Sequence, residues 1–280
     1  MWLVAPANLG FAGGFRFGCD ARSDTDVYLL LNNDVRLPER TIEACLELIG
    51  QDGVGIVGPT LMSARGIYPA ATRLTSLFAV PRRPRRAPVQ PTEAAYVTGA
   101  VLFVRAACHR LVPMDTRYFL VFEDTDLCYR MRHAGWRVVA SPHQAWHTGG
   151  GTIPRNIYSY YGVRNRIWFA RIHGESWRAP LVAAWLALVV LPRNVGSDVR
   201  RRRGLVRVPF MLHGLLDGIG PLPPANTPLT DEPRAARWER GWERASGRAA
   251  HRPPSPSEGG ETPGVAVAAE PVLAQAGDAP

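Results

Sequence analysis

The sequence contains no lysine, and all 33 of its basic residues are arginines. Coding composition contributes to such a bias, so the arginine excess does not by itself indicate a special partner. The formal net charge of +9 still favours anionic partners, such as phosphates, diphosphates, nucleic acid or an anionic membrane surface. No motif typical of nucleic-acid recognition occurs, and we therefore expect no nucleic-acid partner.

Cysteines and long apolar runs are also scarce. The four cysteines lie far apart and form no CxxC pair (Cys19, Cys45, Cys108 and Cys128). This spacing is typical of reduced thiols in a cytosolic protein and argues against a disulfide framework or a zinc site. The apolar N-terminus lacks the basic residues that begin a signal peptide. The longest candidate run, residues 179–191, is shorter than the roughly 18 apolar residues of a spanning helix.

Strand and helix patterns alternate in the first part of the chain. Residues 27–31 (VYLLL) are typical of a buried strand, a helical pattern runs from Pro38 to Gly50, and residues 54–57 predict a second strand. The alternation predicts an α/β fold with a mostly parallel sheet flanked by helices.

The patterns divide the chain into three predicted segments. Residues 1–175 carry the α/β pattern, and residues 176–223 form an amphipathic helical region. Residues 224–280 are rich in Pro, Ala, Gly and Glu and are predicted to be a disordered tail.

Residues 122–130 (FEDTDLCYR) contain three carboxylates directly after a mostly apolar run. Glu123, Asp124 and Asp126 could include a general base or a cation ligand. They could equally form the solvated start of a helix, where acidic side chains favour the macrodipole. Both interpretations can hold together if Asp126 serves the helix while another carboxylate faces a cleft.

Asp34 follows the predicted strand at residues 27–31, behind Asn32 and Asn33. Ligands of open α/β sheets bind at this edge, and a carboxylate there can hold a divalent cation together with diphosphate oxygens. The same three residues also make a good turn, so the pattern leaves both interpretations open.

Two further segments are ambiguous by themselves. His147 precedes three glycines and could be a metal ligand, a phosphate contact or a structural residue. Residues 8–14 (NLGFAGG) contain glycines that allow the backbone to approach a ligand, yet they match no phosphate-binding motif.

The apolar run at residues 179–191 lies between Arg178 and Arg193. A helix of that length covers about 20 Å, which is short of a hydrocarbon core of roughly 30 Å. It could lie in a membrane interface with its arginines on anionic headgroups, or it could be a core helix beside a basic loop.

Taken in order, these patterns resemble the family 2 glycosyltransferases of GT-A fold, and in particular the rhamnosyltransferase-like branch that builds bacterial cell-surface polysaccharides. The resemblance covers residues 3–175. It depends on the order of NLGFAGG (8–14), LLLNNDV (29–35), TGAVLFVR (98–105), FEDTDLCYRMRHAGW (122–136) and a histidine before a glycine loop.

The resemblance implies a role for each matching residue. Asp34 matches the metal motif, His147 matches a late histidine that completes metal or diphosphate binding, and the implied cofactor is Mg²⁺ or Mn²⁺. Asp124 matches the catalytic base, and Glu123 is its neighbour in the acceptor pocket. The implied donor-binding residues are Asn8, Gly10, Gly13, Asn33, Gly99 and Ala100.

The resemblance also implies a reaction. It is a single displacement, with inversion, from a nucleotide-sugar donor (a dTDP- or UDP-sugar) to a lipid-linked or polysaccharide acceptor in cell-envelope glycan synthesis. Such an enzyme is expected in the cytoplasm, in peripheral contact with the inner face of the cell membrane.

The chain departs from the family pattern in three ways. It begins after the family's first β-α-β unit, so we expect either a start codon assigned too late or a fragment. Arg16 stands where the family has asparagine, and Asp34 is the sole carboxylate of the metal motif, which predicts weak metal binding. The alternative function is therefore a truncated, inactive GT-A-like domain that acts as a binding or scaffold module.

Overall fold

The structure is a computed structural model that describes residues 3–64, 66–68, 73–75, 77–148, 154–202 and 204–225. Residues 240–280 lie outside the described residues. The glycines at 149–151 and most of the predicted tail, from residue 226 onward, also lie outside them. The predicted divisions after residues 175 and 223 stay predictions.

The described elements alternate between helices and strands. The helices are α1 (Gly10–Asp20), α2 (Glu39–Gly50), α3 (Ala106–Leu111), α4 (Glu123–His133), α5 (Arg155–His173), α6 (Arg178–Trp185), α7 (Leu191–Arg200) and α8 (Arg207–Ile219), and a π-helical segment, Leu186–Val190, joins α6 to α7. The strands are β1 (Val27–Leu31), β2 (Val35–Arg36), β3 (Val54–Ser63), β4 (Gly66–Tyr68), β5 (Arg73–Leu74), β6 (Pro81–Arg82), β7 (Thr92–Glu93), β8 (Val101–Arg105) and β9 (Arg137–His147).

The main sheet is mixed, with the strand order β1-β8-β3-β9-β2, and β4 and β7 pair with β3 and β9. The prediction of a mostly parallel sheet is wrong, because among the described strands only β3 and β9 pair in parallel. The β-α-β pattern correctly gives β1 and β3 the same direction. It does not reveal that β8, from a distant part of the chain, lies antiparallel between them.

Helices cover both faces of this sheet. On one face, α1, α3 and α4 contribute Ala12, Ala106 and Leu127 to a core with the strand residues Ile56 and Leu102. On the other face, α2 contributes a second group of buried side chains that packs on β3 and β8. The predicted α/β layering of a central sheet between helices is therefore confirmed.

The predicted strand at 54–57 is longer than its sequence pattern indicates. It continues as β3 to Ser63, and a shift in its register with β9 between Pro59 and Thr60 accommodates the missing N–H of the proline. β9 runs to His147, because its last residues pair with β2 and with the second half of β3. His147 therefore ends a strand.

The C-terminal helices pack on one another around α5. Val163 and Ile167 of α5 contact Met211 and Leu215 of α8 in a shared apolar cluster. The predicted length of the helix at residues 179–191 is wrong. The helix runs from Arg178 to Arg200, since the π-helical segment carries it across Pro192, which has no N–H to donate.

This long helix is mostly exposed. It has 23 residues, its most apolar 18-residue window has a mean hydropathy of 1.5, and 17% of that window is buried. By length and composition alone it could cross a membrane. Its exposed apolar side chains include Leu181, Leu188 and Val199, and those of α8 include Leu212 and Leu216.

Candidate active site

The acidic cluster begins α4 after an unusual backbone turn. Val121 and Phe122 both adopt left-handed φ angles, 66° and 82°, which branched and aromatic residues rarely occupy. The buried side chain of Asn165 holds this turn by donating hydrogen bonds to the carbonyls of Leu120 (2.8 Å) and Val121 (2.6 Å). Strained backbone of this kind occurs at functional sites, and here it sets the direction of Glu123 and Asp124.

Asp124 is the most thoroughly hydrogen-bonded carboxylate of this turn. Its Oδ2 accepts hydrogen bonds from the N–H of Gly99 (2.8 Å) and from the hydroxyl of Tyr96 (3.3 Å). Its Oδ1 accepts from the N–H of Thr125 (2.6 Å) and from the Thr125 hydroxyl (3.2 Å). The side chain is buried, so four donors fix it in one orientation.

Glu123 and Asp124 differ in the hydrogen bonds that counter the effect of burial on their pKa values. Burial raises the pKa of Glu123 well above its usual range, the adjacent Asp124 charge raises it further, and Oε2 of Glu123 has no hydrogen-bond partner among the described residues. Burial also raises the pKa of Asp124, but the donors from Gly99, Thr125 and Tyr96 counter this effect. Because hydrogen bonds to the charged form favour it, Asp124 is better suited than Glu123 to carry the negative charge of the pair.

Asp126 has a structural role. It is fully buried, and its carboxylate contacts Nε of Arg130 at 2.7 Å and Nε2 of His173 at 2.6 Å. Arg130 belongs to α4 itself, and the contact with His173 ties α4 to the end of α5. The two interpretations of the acidic cluster therefore apply to different residues. Asp126 stabilises the helices, and Glu123 and Asp124 form a separate pair.

Gly99 and Ala100 connect this pair to the turn after β1. The N–H of Gly99 binds Asp124, and the carbonyl of Ala100 accepts a 3.0 Å hydrogen bond from the N–H of Asn32. A Cβ atom on Gly99 would lie 3.2 Å from Oδ2 of Asp124 and 3.3 Å from the ring of Phe11. The close approach explains why glycine is present at this position.

Asp34 and His147 lie together at the far end of the same turn. Oδ1 of Asp34 is 3.2 Å from Nε2 of His147, and both side chains are partly exposed. The carbonyl of Asp34 also accepts hydrogen bonds from the N–H (3.0 Å) and the hydroxyl (3.1 Å) of Thr148. Asn33 is exposed beside them.

The donor set at this turn is small. Within the described ranges, no three His, Cys, Asp or Glu side chains gather into a group that could hold a metal ion. A carboxylate and an imidazole fit a divalent cation as two ligands, with diphosphate oxygens and water completing the coordination. The weak metal site predicted from the sequence stays a prediction. Asp34 and His147 are the two residues that would provide its protein ligands.

The glycine-rich segment lies at the start of a helix. Oδ1 of Asn8 accepts a 3.1 Å hydrogen bond from the N–H of Gly10, which begins α1 with a φ of 69°. A Cβ on Gly10 would lie 2.3 Å from the carbonyl oxygen of Phe119, and one on Gly13 would lie 2.9 Å from Cβ of Leu9. Packing therefore accounts for both glycines, and their predicted contact with the donor stays a prediction.

A cavity of about 610 Å³ lies between α1 and β1. Its lining includes Gly10, Phe11 and Gly14 from the helix and the whole of the strand. β1 is the edge of the described sheet on this side. Phe11 lines the cavity, and its ring would lie 3.3 Å from a Cβ atom on Gly99, the residue that binds Asp124. The cavity therefore lies close to the acid pair.

Three residues near the acid pair were not predicted from the sequence. Tyr96 donates to Asp124, and the charge of Asp124 raises the pKa of Tyr158 and opposes the lowering of the pKa of Arg83 by burial. Arg83 belongs to a Pro- and Arg-rich segment that the sequence marks only as a loop. The only signal for Tyr158 was the aromatic and basic composition of its segment.

No protein-family model matches this chain. Two curated proteins are similar to it, and each is named N-acetylglucosaminyl-diphospho-decaprenol L-rhamnosyltransferase, from Mycobacterium tuberculosis strains CDC 1551 / Oshkosh and ATCC 25618 / H37Rv. Each is 31% identical to this chain over an alignment of 206 residues, and the match covers 64% of this chain. The match spans 66% of the length of these relatives. The similarity supports a glycosyltransferase family for this chain.

Proposed function

We propose that this protein is an inverting glycosyltransferase of family 2 and GT-A fold. It would move a sugar from a nucleotide-sugar donor to a lipid-linked or polysaccharide acceptor in cell-envelope glycan synthesis. The observation that carries the proposal is the Asp124 carboxylate, buried at a helix start and fixed by four hydrogen bonds. Similarity to proteins named for transfer to a diphospho-decaprenol-linked sugar supports the same reaction class.

The arrangement suits Asp124 as a general base. Its carboxylate would accept the proton of an acceptor hydroxyl while the hydroxyl oxygen attacks the anomeric carbon of the donor sugar. The bond from that carbon to the nucleotide diphosphate breaks on the opposite face, which inverts the configuration. Burial raises the pKa of Glu123, and in its protonated form this residue would donate a hydrogen bond to the acceptor beside the reacting hydroxyl.

Asp34 and His147 are the residues that would hold Mg²⁺ or Mn²⁺ at the turn after β1. When bound, such an ion supplies positive charge to the departing diphosphate. Gly99 and Ala100 link this turn to Asp124 through their backbone groups, so the donor and acceptor sides of the proposed site share one short segment. We propose a dTDP- or UDP-sugar as donor.

We further propose that the protein acts in the cytoplasm, at the inner face of the cell membrane. The exposed apolar side chains of the helix Arg178–Arg200 and of α8 support this location. Arg200 and Arg201 at the end of that helix are exposed and would contact anionic headgroups.

Transfer can be tested on the full chain with a panel of dTDP-, UDP- and GDP-sugars and a short-prenyl GlcNAc diphosphate as acceptor. We expect a glycosylated product whose anomeric configuration, measured by NMR, is opposite to that of the donor. Retained configuration would contradict the single displacement. If nucleotide-sugars bind but no product forms with any of them, the alternative of a binding or scaffold module would be supported instead.

A further inference from the structure

Arg83 is a partly exposed arginine whose guanidinium contacts an aromatic ring but, in the described part of the chain, no carboxylate. It lies between β6 and β7, and its guanidinium carbon is 3.2 Å from the centroid of the Tyr68 ring. Its Nη1 atom is buried, yet no described residue accepts a hydrogen bond from it, and no described carboxylate forms a salt bridge with it. Arg166, by contrast, donates to the carbonyls of Phe78 (2.7 Å) and Ala79 (3.1 Å).

Arg83 lies near the acid pair. Ala79, four residues before Arg83, packs in one apolar cluster with Phe122, the residue directly before Glu123. Burial lowers the pKa of Arg83, and Tyr96, Tyr158 and Asp124 counter this effect. Burial also raises the pKa of Tyr158, and the charges of Asp124 and Glu123 add to it. The packing and the electrostatics together bring Arg83 into the neighbourhood of the acid pair.

A buried N–H group without an acceptor, such as Nη1 of Arg83, is costly because it has lost water and gained no partner. The rest of the Arg83 side chain is partly exposed, and its planar guanidinium presents parallel N–H donors that match the oxygens of a phosphate. Glu123 contributes a second unsatisfied group, since its side chain is only 6% exposed and Oε2 has no partner among the described residues. Two unsatisfied polar groups in this region indicate a ligand that supplies partners to both.

We propose that Arg83 binds the diphosphate of the lipid-linked acceptor. The inference rests on the proposed function. In a sugar joined to a lipid through a diphosphate, one pyranose ring separates the attacking hydroxyl from the diphosphate oxygens. A hydroxyl at Asp124 therefore brings the diphosphate within reach of a cation beside that residue. The diphosphate of the donor is assigned to the separate pair of Asp34 and His147.

The test compares Arg83→Gln with Arg85→Gln in the full chain. Arg85 lies two residues away in the same segment and is exposed, so both variants lose one positive charge from the same loop. Equilibrium binding of farnesyl diphosphate and of dTDP is measured for each variant. We expect Arg83→Gln to weaken farnesyl diphosphate binding about tenfold or more and to leave dTDP binding unchanged. Arg83→Lys should recover part of the loss, and Arg85→Gln should bind both probes like the wild type.

Three outcomes would overturn the assignment. Weaker binding of dTDP alone would move Arg83 to the donor side, and equal losses in the two variants would reduce its role to general electrostatics. Unchanged binding of both probes would remove Arg83 from the site. If the wild type binds farnesyl diphosphate through Arg83 but forms no product in the transfer assay, the anion site stands and the proposed function fails. Melting temperatures of the variants distinguish loss of binding from loss of folding.

Discussion

The backbone N–H of Gly99 donates a 2.8 Å hydrogen bond to Oδ2 of Asp124, which joins the segment before β8 to the start of α4. The bond fixes the carboxylate and favours its charged form, while Glu123 next to it has one oxygen without any partner in the described residues. The two adjacent carboxyl groups therefore have different environments, and the charged form is better supported on Asp124 than on Glu123.

Asp124→Asn removes the proposed base while preserving its shape. We expect kcat for transfer to fall roughly 10²- to 10⁴-fold, the range of general-base contributions, with little change in donor binding. Steady-state transfer kinetics and nucleotide-sugar binding measure the two effects separately. Asp52→Asn, at an exposed position in the turn after α2, serves as the control. Unchanged turnover in Asp124→Asn would exclude this residue as the base.

Gly99→Ala tests the close approach to Asp124. The added methyl group would lie 3.2 Å from Oδ2 of Asp124, so the carboxylate must move by a few tenths of an ångström. We expect kcat/KM to fall about tenfold, since small misplacements of reacting groups have large effects on rate. Gly14→Ala adds a methyl group in open space on α1 and should stabilise the protein by about 0.5–1 kcal/mol without loss of activity. Equal activities of the two variants would contradict the role of the approach.

His147→Ala tests the pair with Asp34. If the imidazole is a metal ligand, the Mg²⁺ or Mn²⁺ concentration that gives half-maximal transfer should rise about tenfold or more. His143→Ala, on the same strand, should leave the metal dependence unchanged. Metal binding can be followed directly by Mn²⁺ electron paramagnetic resonance in the presence of dTDP. A metal dependence identical to that of the wild type would show that the pair is only a hydrogen bond.

Glu123→Gln tests the protonation state of the pair through stability. The folded-state pKa of Glu123 lies above its ordinary value of 4.5, so its stabilising contribution is full below that pH and is lost as pH rises through the folded-state pKa. Glutamine has no proton to lose. The variant should therefore gain stability relative to the wild type as pH increases from 4 to 8, as measured by urea unfolding. A stability difference that does not vary with pH would contradict the assignment.

Leu188→Glu tests membrane contact by the helix Arg178–Arg200. Leu188 is 76% exposed, and Leu111 on α3 is 74% exposed, so Leu111→Glu is a matched control. We expect Leu188→Glu to reduce binding to vesicles containing phosphatidylglycerol roughly tenfold, because the apolar side chain no longer enters the interface. Cosedimentation measures the effect. Equal reduction in both variants would exclude a specific role for this helix.

Much of the local structure could be predicted from the sequence. The apolar run VYLLL forms β1, the pattern after Pro38 forms α2, and Gly135 ends the acidic helix with a φ of 87°. These features depend on neighbouring residues, whose propensities and periodicity are visible in the chain. The order of the motifs also indicated the enzyme class that the mycobacterial relatives support.

The sequence by itself determined which residue types stand at the ends of its strands and helices. Only the tertiary structure decided which of them meet. β8 lies between β1 and β3, β9 extends to place His147 beside Asp34, and Arg83 approaches the acid pair from a loop without any local pattern. The physical reason is that long-range hydrogen bonds depend on strand register, and register cannot be predicted from neighbouring residues. The hydrogen bond from Thr148 to Asp34, which are 114 residues apart, is an example.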